Sequence, residues 1–243
     1  IEAAITSNTR AIMLNTPSNP CGTMYTPDEL RAIASMLEKY PEVYILSDEI
    51  YERLIYSDIN HLSLGSLPGV SNRVITINGL SKAYAMTGWR IGYACAPEHV
   101  AKAMNTLQSQ INTSITSFCY AAIPVARGMS DEVEKMRQIF AKRANLMYSL
   151  IQKWPNTACA EPTGAFYVFP KISYYYGKTS PAGTDIADAV NFTKALLDET
   201  MVAVVPGTDF GGCGPDHIRL SFACSEENIT LGVNKVGEWL EQF

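Results

Sequence analysis

Between Val74 and Trp89 the only charged side chain is Lys82. It follows an apolar run, Val74 to Ile77, and a small-residue turn, Asn78-Gly79-Leu80-Ser81. An ammonium in such surroundings is poorly solvated, and the neutral amine is favoured. A strand running into a helix here would add to this, because a helix start disfavours a cation. A neutral amine attacks carbonyl carbon, so Lys82 suits Schiff-base chemistry. The competing reading is a surface lysine that snorkels past an apolar loop, and composition alone leans that way.

Four other groups invite chemistry. Asp48-Glu49-Ile50-Tyr51 follows an apolar run. A carboxylate buried there needs a partner or it neutralises; alternatively, Asp48 caps a short helix. Tyr51 alone reads equally as an amphipathic rim residue. Asn15-Thr16-Pro17-Ser18-Asn19-Pro20-Cys21-Gly22 is a loop that, alone, reads as a plain turn. Arg219 lies in His217-Ile218-Arg219-Leu220-Ser221-Phe222, with Ile218, Leu220 and Phe222 on one face and Arg219 on the other. A solvated arginine is the default there.

The elements that must position these groups alternate. Strands are expected at Ala11–Asn15, Val43–Ser47, Arg73–Ile77 and Ile91–Cys95. Thr26, Pro27 and Glu29 predict a capped helix running to about Tyr40, and Pro97 to Gln110 and Ser117 to Gly128 read as further helices. This order predicts an α/β fold, a mostly parallel sheet with flanking helices. Ligands of such sheets lie beyond the carboxyl ends of strands, where Asn19, Asp48 and Lys82 all fall. Ser130, with Asp131 and Glu132, starts a long helix reaching about Lys153. It bridges to a smaller C-terminal α/β sandwich. The expected organisation is 1–130 for part of a large domain, 131–153 for the interdomain helix and 154–243 for the small domain. Within the last, strands are expected at Ala165–Phe169, Met201–Val205 and His217–Ala223, a loop at Tyr174–Gly183, a helix capped by Thr184, and a final helix capped by Ser225.

The 243 residues carry a net charge of -5, which argues against a nucleic-acid partner. The six cysteines form no CxxC pair, so reduced thiols in a cytoplasmic protein are expected. His61, His99 and His217 have no ligand spacing, so no metal site is expected. No signal peptide or membrane-length apolar run is apparent.

Gly79-x-Ser81-Lys82-x-x-Ala85-Met86-x-Gly88-x-Arg90-Ile91-Gly92 resembles the cofactor-attachment signature of the class I/II aminotransferases of fold type I, which use pyridoxal 5'-phosphate (PLP). The likeness is greatest to the bacterial and plant-plastid aspartate aminotransferase type. It implies that Lys82 carries the cofactor as a Schiff base, that Arg90 binds its phosphate, and that Ser81 lies in the cofactor site. It further implies that Asp48 pairs with the pyridine nitrogen and that Tyr51 and Asn19 bond the ring's 3-oxygen. Arg219 would grip the substrate α-carboxylate, and Asn19 would also bind the substrate. Val202 to Gly207 and Gly164-Ala165-Phe166-Tyr167 also resemble family segments, so the resemblance covers nearly the whole chain.

The resemblance implies transfer of an amino group between an L-amino acid, with aspartate or glutamate as candidates, and a 2-oxo acid, in a cytoplasmic homodimer. Two alternatives share the scaffold: a PLP-dependent β-lyase or synthase, and a non-catalytic PLP-binding sensor domain. There are departures. Cys21 stands where the family usually has Thr, and Gly79 where some relatives have a phosphate-binding Ser. No arginine lies between Lys102 and Arg127, where some relatives clamp a side-chain carboxylate. The family's N-terminal part has no counterpart here, and a chain beginning at Ile1 reads as part of a longer one.

Overall fold

The computed structural model describes residues Ile1–Phe243. Its first strand, β1, is Ala11–Asn15, and the first helix, α1, is Pro27–Leu37. A reciprocal cap starts α1: the Thr26 hydroxyl accepts the Glu29 amide at 3.2 Å, and the Glu29 carboxylate accepts the Thr26 amide at 2.7 Å. Pro27 fills the first helical position, where no intrahelical donor is needed. Next come β2 (Tyr44–Asp48), β3 (Val74–Gly79) and β4 (Gly92–Cys95). The strands lie side by side in chain order; β1, β2 and β3 are parallel, and β4 is an antiparallel edge. One sheet face is sealed by Leu30, Ala34 and Leu37 of α1, packed with Leu14, Ile45 and Val74. Burying each large aliphatic there contributes about 1.5–3 kcal/mol. The mostly parallel α/β sheet read from the sequence is therefore present.

The chain divides into two compact units, Ile1–Pro17 with Met24–Met136, and Ser18–Thr23 with Arg137–Phe243. After β4 come α2 (Glu98–Ile111), α3 (Ala122–Arg127) and α4 (Ser130–Ile151). The single helix expected over Ser117–Gly128 is instead a 3-10 turn, Ser117–Ala121, followed by the short α3. Pro124 accounts for this: it lacks an amide hydrogen, so the α-helix can start only within the turn before it. Met104, Leu107 and Ile111 share one face of α2 and are all exposed.

The second unit contains β5 (Tyr167–Val168), β6 (Lys178–Thr179), β7 (Asp185–Ile186), α5 (Ala189–Thr200), β8 (Val205–Pro206), β9 (Ile218–Ser221) and α6 (Glu226–Leu240). Strands β5, β9 and β8 form an antiparallel sheet in that order, and β6 pairs with β7. Ile218, Leu220 and Phe222 are buried, as the alternation predicts. Ser225 caps α6, and Ile229, Val233, Val236 and Leu240 are its buried stripe. Three local expectations fail. The β6–β7 pair occupies part of the expected loop and extends beyond it. Asp188, not Thr184, caps α5, accepting the Asn191 amide at 2.8 Å, while the Thr184 amide bonds the Ser180 hydroxyl. Met201 does not open a strand; it is the left-handed cap of α5, its amide on the Leu197 carbonyl at 2.9 Å.

Candidate active site

Lys82 stands in a turn between β3 and β4. The loop is closed at its base by the Leu80 amide on the Ile91 carbonyl at 3.1 Å. Leu80 and Ile91 are buried in an apolar cluster with Cys119 and Ala126, which fixes both ends of the loop. No helix begins at Lys82, so the helix-start contribution considered for the sequence is absent: Ser81 to Tyr84 form turns, and a 3-10 turn follows at Thr87–Trp89. Ala85 and Arg90 hold φ of 52° and 56°. Such left-handed backbone costs about 1–3 kcal/mol per residue and clusters at functional segments. Ser81 and Lys82 are half-buried, and the Lys82 Nζ lies 5.9 Å from the centre of the Tyr51 ring. Arg90 is exposed and donates from Nη1 to the Thr87 carbonyl at 2.8 Å. A Cβ on Gly79 would meet the Ile91 carbonyl oxygen at 2.7 Å, so the serine that some relatives place here would require β4 to move.

Asp48 closes β2, opposite Asn15 of β1 and Ile77 of β3. Because these strands are parallel, Asp48 and the lysine turn share the carboxyl edge of the sheet. The Asp48 carboxylate accepts the Ile50 amide at 3.2 Å. Burial pushes its carboxyl above the ordinary value, against that hydrogen bond, and the Glu49 charge adds to the rise. The folded state therefore holds this proton more tightly than the unfolded chain. Stability declines as pH rises from the ordinary aspartate value through the raised one, and the loss persists above it. Asp48→Asn is accordingly expected to raise the melting temperature of the protein at neutral pH. Thermal unfolding from pH 4 to 8 checks the sign; an unchanged or lowered melting temperature at neutral pH contradicts it.

In the second unit, Arg219 of β9 donates from Nη1 to the Asn19 Oδ1 at 2.8 Å. Its guanidinium carbon lies 4.6 Å from the Tyr167 ring centre and 4.8 Å from that of Phe210. Two aromatic rings and an amide thus orient the fork. The Asn19–Pro20 bond is cis, as is Thr16–Pro17. The Asn19 loop is held through Gly22, whose carbonyl accepts the Thr163 and Gly164 amides at 2.8 and 3.0 Å. Gly22 has a φ of 71°, and a Cβ there would fall 2.0 Å from the Tyr167 carbonyl oxygen. Gly22→Ala is expected to destabilise the protein by at least about 2 kcal/mol, read by urea unfolding; a change below about 0.5 kcal/mol would contradict the close approach.

The family model for aminotransferase class I and II matches residues 1–236. The chain belongs to this family. It is 43% identical over 229 residues to an aspartate/prephenate aminotransferase of Cereibacter sphaeroides, covering 93% of this chain and 57% of that protein. It is 41% identical over 243 residues to the aspartate aminotransferase of Geobacillus stearothermophilus, covering 99% of this chain and 60% of the relative. The crystal structure of an aspartate aminotransferase from Rhizobium meliloti superposes with a TM-score of 0.92 at 36% identity, over 99% of this chain and 60% of that one. The chain thus spans about 60% of the length of the relatives it matches.

The aminotransferases of this family work with PLP, and the groups present fit it. PLP offers an aldehyde, a ring nitrogen, a phenolic oxygen and a phosphate. Unit one offers an amine, a desolvated carboxyl, a phenol and a guanidinium in Lys82, Asp48, Tyr51 and Arg90, the first three at or beside the carboxyl edge of one sheet. The structure brings Lys82 near Tyr51 and brings Asn19 to Arg219; the two pairs belong to different units. The sequence reading assigned no role to Tyr167 and Phe210 against Arg219. Their signal was only the aromatic character of the segments around Gly164 and Gly207. It also missed a buried polar network around Glu49, described below.

Proposed function

We propose that the chain carries the lysine-bearing part of a PLP-dependent aminotransferase acting on an L-amino acid and a 2-oxo acid, with aspartate and glutamate as first candidates. The observation that carries this reading is the amine, carboxyl and phenol of Lys82, Asp48 and Tyr51 gathered where β2 and β3 end. PLP, when bound, supplies an electron sink for the charge left on the α-carbon after its proton departs. Lys82 would attach the cofactor, and its freed amine would take the α-proton and return it. Asp48, whose carboxyl is made more basic by burial, would pair with the ring nitrogen and share its proton. Tyr51 and Asn19 would bond the phenolic oxygen, Ser81 would line the cofactor site, and Arg90 would match the phosphate with a planar fork.

Arg219 grips the α-carboxylate. One of its donors is engaged by Asn19, and a guanidinium has five. Relatives named aspartate and aspartate/prephenate aminotransferase support dicarboxylic substrates. The working enzyme is proposed as a homodimer in the cytoplasm. Six free cysteines are consistent with a reducing compartment, and no helix is long and apolar enough to cross a membrane.

The test is a half-reaction. The PLP-loaded full-length protein, mixed with L-aspartate or L-glutamate and no oxo acid, should release one equivalent of the matching 2-oxo acid and stop. Continued release of pyruvate and ammonia from a β-substituted amino acid, with no acceptor, would instead mark a lyase.

A further inference from the structure

Glu49 is 2% exposed, yet it carries a carboxylate between two residues of the cofactor reading, Asp48 and Tyr51. Its Oε1 accepts the Ser47 hydroxyl at 2.8 Å and the Ser63 hydroxyl at 2.9 Å, and its Oε2 faces the His61 Nε2 at 2.9 Å. The Glu52 carboxylate lies 3.9 Å from the same His61 nitrogen. The His61 Nδ1 is buried without a partner. Facing a carboxylate acceptor, the His61 Nε2 serves as the donor to Glu49.

Successive residues on a strand point to opposite faces, so Asp48 and Glu49 diverge at the end of β2. The Glu49 amide donates to the Ile77 carbonyl at 2.9 Å and prolongs the pairing with β3. The Glu49 carbonyl accepts the Glu52 amide at 2.9 Å, which closes the turn bearing Tyr51, itself 3% exposed. Backbone and side chain of one residue thus anchor the groups on either side. A buried charged cluster is a poor source of stability compared with apolar packing, but it does specify one geometry.

We propose that Glu49, clamped by Ser47, Ser63 and His61, is a positioning residue that holds the Asp48–Tyr51 turn in the geometry that binds the cofactor. The inference rests on the PLP reading above and deepens it. It has an electrostatic arm as well. The Glu49 charge is next to Asp48 and favours protonated forms nearby.

The experiment compares wild type, Glu49→Gln and His61→Leu in the full-length protein. Three quantities are read: the PLP dissociation constant, the pH midpoint of the visible absorption of bound PLP, and the melting temperature without cofactor. Glu49→Gln is expected to weaken PLP binding by about tenfold or more and to lower the spectral midpoint by roughly half a unit or more. His61→Leu keeps the charge, so it should weaken binding with a smaller midpoint change. A folded Glu49→Gln protein with unchanged affinity and unchanged midpoint would overturn the proposal. A lower melting temperature alone would show a merely structural residue and would overturn it too. Should Glu49→Gln fail to fold, Ser47→Ala with Ser63→Ala removes two hydrogen bonds and leaves the charge; wild-type PLP affinity in that double variant would overturn the clamp. A wild-type protein with no Lys82-dependent absorption would refute the cofactor reading and this inference with it, whereas a wild-type band with unaffected variants refutes the clamp alone.

Discussion

Lys82→Ala is expected to lower transamination by about 10⁴-fold or more, the upper range for loss of a positioned proton-transfer group. The loss has two sources. The alanine methyl can neither attach the cofactor nor move the α-proton. The fold should survive, because Lys82 is half-buried in a turn whose ends are fixed by Leu80 and Ile91. The melting temperature of the cofactor-free variant should therefore stay near the wild-type value. Added primary amines should restore part of the lost rate, since a small free base can carry the proton that the side chain no longer carries. A Lys82→Ala protein that turns over at the wild-type rate would remove the residue from the chemistry.

Arg219→Ala is expected to raise KM for the amino acid by on the order of 10²-fold, because a charge-assisted fork to the α-carboxylate is lost. Arg219→Lys should recover little of this. An ammonium is a point charge: it cannot form the planar bidentate pair, and it fits the Tyr167 and Phe210 faces less well than a guanidinium. KM should rise by a much larger factor than the cofactor dissociation constant, whose change reflects only the lost hydrogen bond to Asn19, and this separates substrate binding from cofactor binding. Steady-state kinetics over a range of L-aspartate concentrations decides the point. An unchanged KM would show that Arg219 is no more than an aromatic-packed partner of Asn19.

Local physics made much of the architecture readable in the sequence. The Thr26–Glu29 box and the Ser225 cap are short-range devices, and both form. The alternation of Ile218, Leu220 and Phe222, all buried, places Arg219 on the opposite face of β9. Errors arose where a tertiary demand overrode a local signal. Met201 carries strand-like neighbours, but α5 needed a left-handed cap and took it. Strands β6 and β7 are two-residue segments with no period to detect. The site was readable only as residues, not as contacts. The hydrogen bond from Arg219 to Asn19 joins positions 200 residues apart. The clamp on Glu49 draws His61 and Ser63 from an irregular segment that has neither helical nor strand period.

The central claim is that Lys82 holds the cofactor covalently, and reductive trapping tests it most directly. The PLP-loaded full-length protein would be treated with borohydride, digested and mapped by mass spectrometry. The account predicts one dominant pyridoxyl-modified lysine, Lys82, with the modification lost when L-aspartate is added before the reductant. Modification absent from Lys82, or spread evenly over exposed lysines such as Lys102 and Lys142, would contradict it.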